Sequence, residues 1–271
     1  MSSNKETFGK TLGFVLAVCI ACALLVSFSA VQLKPLQKAN KALDQQTKIL
    51  EASGLLSQTD GSSKSIIALY NEKVFGSIIE LKTGETLCSV KENKAEDSCF
   101  TQILNFDERR NSRDKALSVK PENDIAGINR QSKTAVVYAV KGDSGAVETV
   151  VLPIVGSGLW DLMYGYIGLE SDLNTVKSVI YSDHKETPGL GAEVLNPNWK
   201  ALWPGKKIYN DSGEVKAKLV KGGAKAGDIH GVDALSGATL TSNGVTKTLQ
   251  FWFGKEGYKT FITKYRAEGV K

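Results

Sequence analysis

"TAVVYAV" (134–140) and "AVETVVLPIVG" (146–156) stand on either side of "KGDSG" (141–145), and the reading of this run decides the fold. β-Branched and aromatic residues fill both arms, while Gly and Asp supply the turn between them, so the run predicts an antiparallel hairpin. Working outward toward the C-terminus, "GSGLWDLMYGYIGLESD" (156–172) is a glycine-rich bend that leads into a core helix or strand. "TVKSVIYSDH" (175–184) reads as a strand delivering "KETPGLGAEV" (185–194), where Pro188, Gly189 and Gly191 force a tight loop before a helix-like "EVLNPNWKALW" (193–203). Strands follow around "KKIYN" (206–210) and "VKAKLVKGG" (215–223), and a helix starts at about Ser242 with Val245, Leu249, Trp252 and Phe253 roughly on one face.

Toward the N-terminus, "KPLQKANKALDQQTKILEASGLL" (34–56) repeats leucine at Leu36, Leu43 and Leu50 and stops at Gly54, a helix that continues outward from the segment before it. "SQTDGSS" (57–63) is a loop, followed by a short helix through Ile66, Leu69 and Tyr70. Residues 76–113 mix short strands with a loop between two cysteines, and "KAEDSCF" (94–100) and "DERRNSRD" (107–114) read as solvated charge runs. Strands mixed with unsegregated helices predict the α+β class. "GDSG" also matches a serine-protease nucleophile loop, but a hairpin leaves Ser144 at an exposed tip, and the turn reading prevails over a triad with His184 or His230.

"TLGFVLAVCIACALLVSFSAVQL" (11–33) carries no charge. At about 1.5 Å per residue it reaches about 34 Å, enough to cross a bilayer core. A signal peptide has a shorter apolar stretch; Ser27 and Ser29 make only a weak cleavage motif and apolar residues run past them, so the segment reads as an uncleaved transmembrane anchor. Lysines flank it on both sides, and the positive-inside count alone does not orient it. Cys19 and Cys22 lie inside the apolar run and read as small buried hydrophobes. Cys88 and Cys99 can close a short loop worth about 3 kcal/mol, and such a bridge persists only in an oxidising compartment. Over the 271 residues the net charge of +5 comes from lysines scattered among acids, without an arginine-rich run, which excludes nucleic acid as a partner.

Three glycine-rich loops remain: "GSGLW" (156–160), "ETPGLG" (186–191) and "SGATLTS" (236–242). Each alone is more often a turn. Together they suit one flat ligand with an anionic end, with Trp160 as an aromatic wall, close backbone approach at Gly189 and Gly191, and an anion seat from Gly237 to Thr241 at a helix start. A planar ring carrying a phosphate meets those needs.

"DALSGAT" (233–239) matches the Asp-x-x-Ser/Thr-Gly-Ala-Thr signature of covalently flavinylated domains, and the anchor, "GLW", "ETPGLGAEV", "KGGA" and "HGVDALSGATLTSNGV" follow in the same order as in one family. The chain resembles the C subunits of sodium-translocating NADH:quinone oxidoreductases, with the related flavin subunit of Rnf complexes as the alternative; an anchored structural subunit without flavin is the reading from another class. The resemblance covers most of the chain from Gly156 onward and little between Gly54 and Lys133. It implies FMN joined to Thr239 through a phosphoester by a separate flavin transferase, with Asp233, Ser236, Gly237, Ala238, Thr187, Gly189, Leu190, Gly191 and Trp160 around the cofactor, no catalytic side chain and no metal site. It implies the domain layout: a short segment 1–10, the anchor 11–33, a helical extension and α/β part 34–132, and a mixed α/β FMN-binding domain 133–271. It also implies electron relay among other subunits of a bacterial inner-membrane complex, with a single pass through the lipid bilayer and the soluble part on the periplasmic side. The chain has no GxGxxG motif, so NADH binds elsewhere in such a complex.

Overall fold

The computed structural model describes residues 8–90, 93–94 and 96–268. Most of the expected N-terminal segment 1–10 therefore lies outside the described residues. Helix α1 (Phe8–Ser53) holds the one stretch among the described residues that is long and apolar enough to cross a membrane. It continues through the leucine repeat, as the spacing predicts, and Gly54 ends it at φ +77, where glycine has no Cβ to clash. Two compact units share the chain, one ending at Asp44 and the other beginning at Gln45.

The second unit takes in the last turns of α1, then α2 (Ser63–Lys73), β1 (Val74–Glu80), β2 (Thr86–Ser89), α3 (Ser98–Leu104), α4 (Glu108–Arg113), β3 (Ser118–Val119), β4 (Gln131–Ser132), β5 (Thr134–Lys141) and β6 (Val147–Ser157). After these come β7 (Leu162–Glu170), β8 (Val176–Asp183), α5 (Pro197–Lys200), β9 (Lys218–Val220), β10 (Gly231–Asp233), α6 (Thr239–Trp252) and α7 (Lys259–Glu268), an α+β arrangement. The decisive hairpin is β5–β6, with Gly145 at φ +80 in its turn and Ser144 exposed. It forms the middle of a sheet ordered β2-β1-β5-β6-β7-β8, with every neighbouring pair antiparallel. β1 pairs with β5 from Val74↔Val140 to Glu80↔Thr134, so the sheet crosses the boundary expected at 132/133. Pro153 lies in β6 beyond Val151, the last residue paired with β5, so its missing N–H costs no ladder bond on that side.

Both faces of this sheet are covered. Ala135, Val137, Val150 and Leu152 join one core with Val245, Leu249, Trp252 and Phe253 of the α6 region and with Tyr258, Phe261 and Ile262. Two buried aromatic donors pin this layer to β6: Trp252 Nε1 donates to Val155 O at 2.7 Å and Tyr258 OH to Pro153 O at 2.7 Å. Strand alternation turns Val136, Tyr138 and Val140 to the other face. There Gln45 donates to Tyr138 OH at 2.8 Å, and Ser178 Oγ donates to Ala52 O at 2.6 Å.

The structure departs from the sequence reading in three places. The two charge runs start helices rather than loops, because Asp97 accepts from the amides of Cys99 and Phe100 and Asp107 from that of Arg110. The segment 206–223 forms isolated bridges and only the three-residue β9, which pairs in parallel with β10. α6 begins at Thr239, three residues before the expected start. Cys88 and Cys99 are joined by a disulfide.

Candidate functional site

The hydroxyls at the start of α6 have different environments. Gly237 takes φ +70, Ala238 is the N-cap without a side-chain capping bond, and the helix opens with its first amides uncapped by any side chain. Thr241 is fully buried and donates to Glu186 Oε2. Ser242 is buried and accepts from Leu235 N at 3.0 Å, and Thr246 Oγ1 accepts from Leu219 N at 3.0 Å, which knits the helix to β9 and to the segment that follows β10. Thr239, by contrast, is exposed, and among the described residues its hydroxyl makes no hydrogen bond. Of the two threonines in the first turn, Thr239 is exposed and Thr241 is buried.

Glu186 joins the three glycine-rich loops. Its buried carboxylate accepts from Leu159 N at 2.9 Å, from Trp160 N at 3.1 Å and from Thr241 Oγ1. The next residue holds the aromatic ring: Trp160 Nε1 donates to Thr187 Oγ1 at 3.1 Å. Trp160 remains 67% exposed, a large apolar face with its edge fixed and its surface open. Leu190 reaches Gly237 closely enough that a Cβ there would sit 2.9 Å from Leu190 Cδ2. The Asp233 carboxylate accepts from the backbone of another loop: its Oδ1 takes Ala224 N at 2.7 Å, and its backbone oxygen accepts from Trp199 Nε1 at 2.9 Å. Ser236 is exposed beside Gly237.

Two open cavities border the first turn of α6. One, of 440 Å³, is lined by Lys221, Gly222, Gly223, Asp233, Ser236, Gly237 and Thr239; the other, of 460 Å³, by Gly127, Ser157, Leu159, Leu240 and Lys247, with Asn243 lining both. Each is large enough for part of a cofactor. An exposed hydroxyl, uncapped amides and a basic side chain at Lys221 fit a phosphate group, and the exposed faces of Trp160, Leu159, Leu190 and Leu240 fit an apolar ring.

Comparison with known proteins agrees with this geometry. The model of the FMN-binding domain family matches residues 158–254, which hold all three glycine-rich loops except the first two residues of the first. The C subunit of the Na(+)-translocating NADH-quinone reductase of Vibrio alginolyticus is 43% identical over 98% of both chains, and that of Yersinia pestis is 39% identical over 99% of this chain and 97% of its own. The chain belongs to this family of C subunits. Among solved structures, NqrC of Shewanella oneidensis shares 38% identity and a TM-score of 0.75 over 86% of this chain and 99% of its own. The equivalent protein from Parabacteroides distasonis follows at 29% and 0.62, over 85% of this chain and 97% of its own. The match to the C subunits extends through residues 54–133, where the motifs alone carried little resemblance.

In this family member, the structure brings together Trp160 with Thr187 and Leu190 with Gly237. Gly189 and Gly191 behave differently from each other. Gly189 has φ +74 and open space around it, whereas Gly191 is buried, with Glu186 Oε2 and Thr241 Oγ1 where its Cβ would be. Glu186, Asn243 and Leu240 carry no role in the motif reading. The available signal for Glu186 was an acid at the head of the "ETPGLG" loop, since a carboxylate buried there needs several donors.

Proposed function

We propose that this chain is the membrane-anchored flavin subunit of a sodium-translocating NADH-quinone reductase, carrying FMN esterified to Thr239 and relaying electrons between other subunits. The observation that carries the reading is the exposed Thr239, its hydroxyl without a hydrogen bond among the described residues, at the uncapped start of α6 on the wall of the 440 Å³ cavity. The ester would form when a flavin transferase presents a flavin dinucleotide to Thr239: the Thr239 Oγ1–phosphorus bond forms as the pyrophosphate P–O bond breaks, the nucleoside monophosphate leaves, and the hydroxyl proton passes to a base of the transferase. No basic side chain touches that oxygen among the described residues, which supports an external enzyme. When bound, FMN supplies the redox chemistry, and the protein supplies binding and orientation.

On this reading the first amides of α6 and Lys221 face the phosphate, with Ser236, Gly237 and Ala238 shaping its seat. Asp233 holds the 221–224 turn in place through Ala224 N. Trp160, Thr187 and Leu190 offer the walls for the ring. The anchor sits in the lipid bilayer through the apolar part of α1, and the Cys88–Cys99 bridge favours a periplasmic position for the second unit, because thiols in the cytoplasm stay reduced. The test is Thr239→Val, produced together with the transferase: intact mass should lack the flavin increment while the melting temperature stays near wild type. A variant that carries the full flavin mass would overturn the attachment.

A further inference from the structure

Glu186 is 5% exposed, and the attachment chemistry does not use it. Its surroundings are built for it. Leu159 N and Trp160 N donate to one oxygen and Thr241 Oγ1 to the other, so donors from two separate loops converge on one acceptor-only group. Two glycines make the room. A Cβ on Gly158 would lie 2.5 Å from Glu186 Oε1, and one on Gly191 would lie 2.5 Å from Oε2. Neither glycine has a positive φ, so both are glycine for space rather than for conformation. Thr187, the next residue, fixes the Trp160 indole, so backbone and ring of Trp160 are both held from this one strand of chain.

We propose that Glu186 is a positioning residue for the flavin site: its carboxylate locks the Trp160 turn to the first turn of α6, and its negative charge lowers the flavin's reduction potential. The proposal rests on Thr239 as the attachment point. Thr241, which binds the carboxylate, is two residues from Thr239 in the same helical turn, and a fixed negative charge in a buried setting opposes the addition of an electron nearby. The Glu186–Thr187 pair thus holds both the backbone and the indole nitrogen of a side chain that is 67% exposed.

The test uses the full chain with Glu186→Gln and Glu186→Ala. Glutamine keeps an oxygen for the Leu159 and Trp160 amides and turns its NH₂ to Thr241 Oγ1, which then accepts; the geometry survives and the charge is gone. Glu186→Gln should keep the flavin mass and near-normal melting while its potential moves positive, with the one-electron reduction equilibrium at least threefold more favourable. Glu186→Ala should speed amide exchange at Leu159 and Trp160 at least tenfold and alter the flavin spectrum. Glu186→Gln with a wild-type potential would overturn the electrostatic role, and unprotected Leu159 and Trp160 amides in the wild type would overturn the strut. The exchange measurement is made on protein without flavin. It therefore tests the strut even if wild-type intact mass shows no flavin on Thr239, an outcome that would remove the functional reading and the electrostatic role with it.

Discussion

Gly189 and Gly191 stand two apart in one loop and are glycine for different reasons. Gly189 lies at φ +74 with nothing within 4 Å of a Cβ, so Gly189→Ala should cost about 1 kcal/mol of backbone strain and leave the site intact. Gly191→Val instead drives a side chain into Glu186 and Thr241, and it should lower the melting temperature well beyond Gly189→Ala while breaking the junction of the loops. Scanning calorimetry of the two variants side by side checks the order; equal losses would mean that Gly191 has slack. From the motif alone Gly191 reads as a point of ligand approach, with a spectral change exceeding any loss of stability, and the buried carboxylate reverses that order. Thr241→Val belongs to the same junction. On the proposed attachment it retains Thr239 and should keep the flavin mass, but it strips a buried oxygen of its donor, with a loss of about 1–3 kcal/mol. Thr239 was legible because a signature names it. Glu186 was not, because a carboxylate's burial and donors arise only when distant loops meet.

At the scale of elements, the hairpin, the leucine-spaced helix and the β8 strand were legible because each repeats its own period over enough residues. The short helices α3 and α4 were not. Both run two turns or fewer and start at an aspartate cap: α3 is uncharged and buries only Cys99 and Ile103, α4 is charged and has no fully buried residue, and neither is long enough for a period to stand out in the sequence. α4 carries a cost that can be measured. Burial pushes the Glu108 carboxyl up to about 7, with Arg109 opposing the shift and Asp107 adding to it. The native state therefore holds a proton that the unfolded chain releases near its ordinary value of 4.5, and this group's contribution to stability falls as pH rises from about 4.5 to about 7. Glu108→Gln should remove that slope, gaining on the order of 1 kcal/mol at pH 8 relative to pH 5. Urea unfolding of both proteins at the two pH values checks it, and parallel pH profiles would mean that Glu108 is solvated.

At the scale of the molecule, the apolar segment and the folded unit are joined through one helix, and the sequence period does not reveal where along it the folded unit begins. The heptad leucines run evenly through Leu36, Leu43 and Leu50, yet only the end of α1 is buried. Ile49, Leu50 and Ala52 are fully buried, Ser178 Oγ donates to Ala52 O, and Glu51 takes Lys200 at 2.7 Å and Lys48 at 3.1 Å. Burial raises the Glu51 carboxyl, but the two lysines outweigh it and hold the group below its ordinary value. The last two turns of α1 are thus part of the core of the second unit rather than a stalk. Removing residues 1–44 should leave a protein that folds without detergent, because every contact of Gln45 onward within the unit is retained. Removing residues 1–53 should not, since Ile49 and Leu50 alone are worth about 2–5 kcal/mol each, against a total stability of about 5–15 kcal/mol. The measurement is expression of both truncations followed by thermal unfolding; a cooperative transition in the shorter protein near that of the longer one would show that the end of α1 is dispensable to the fold.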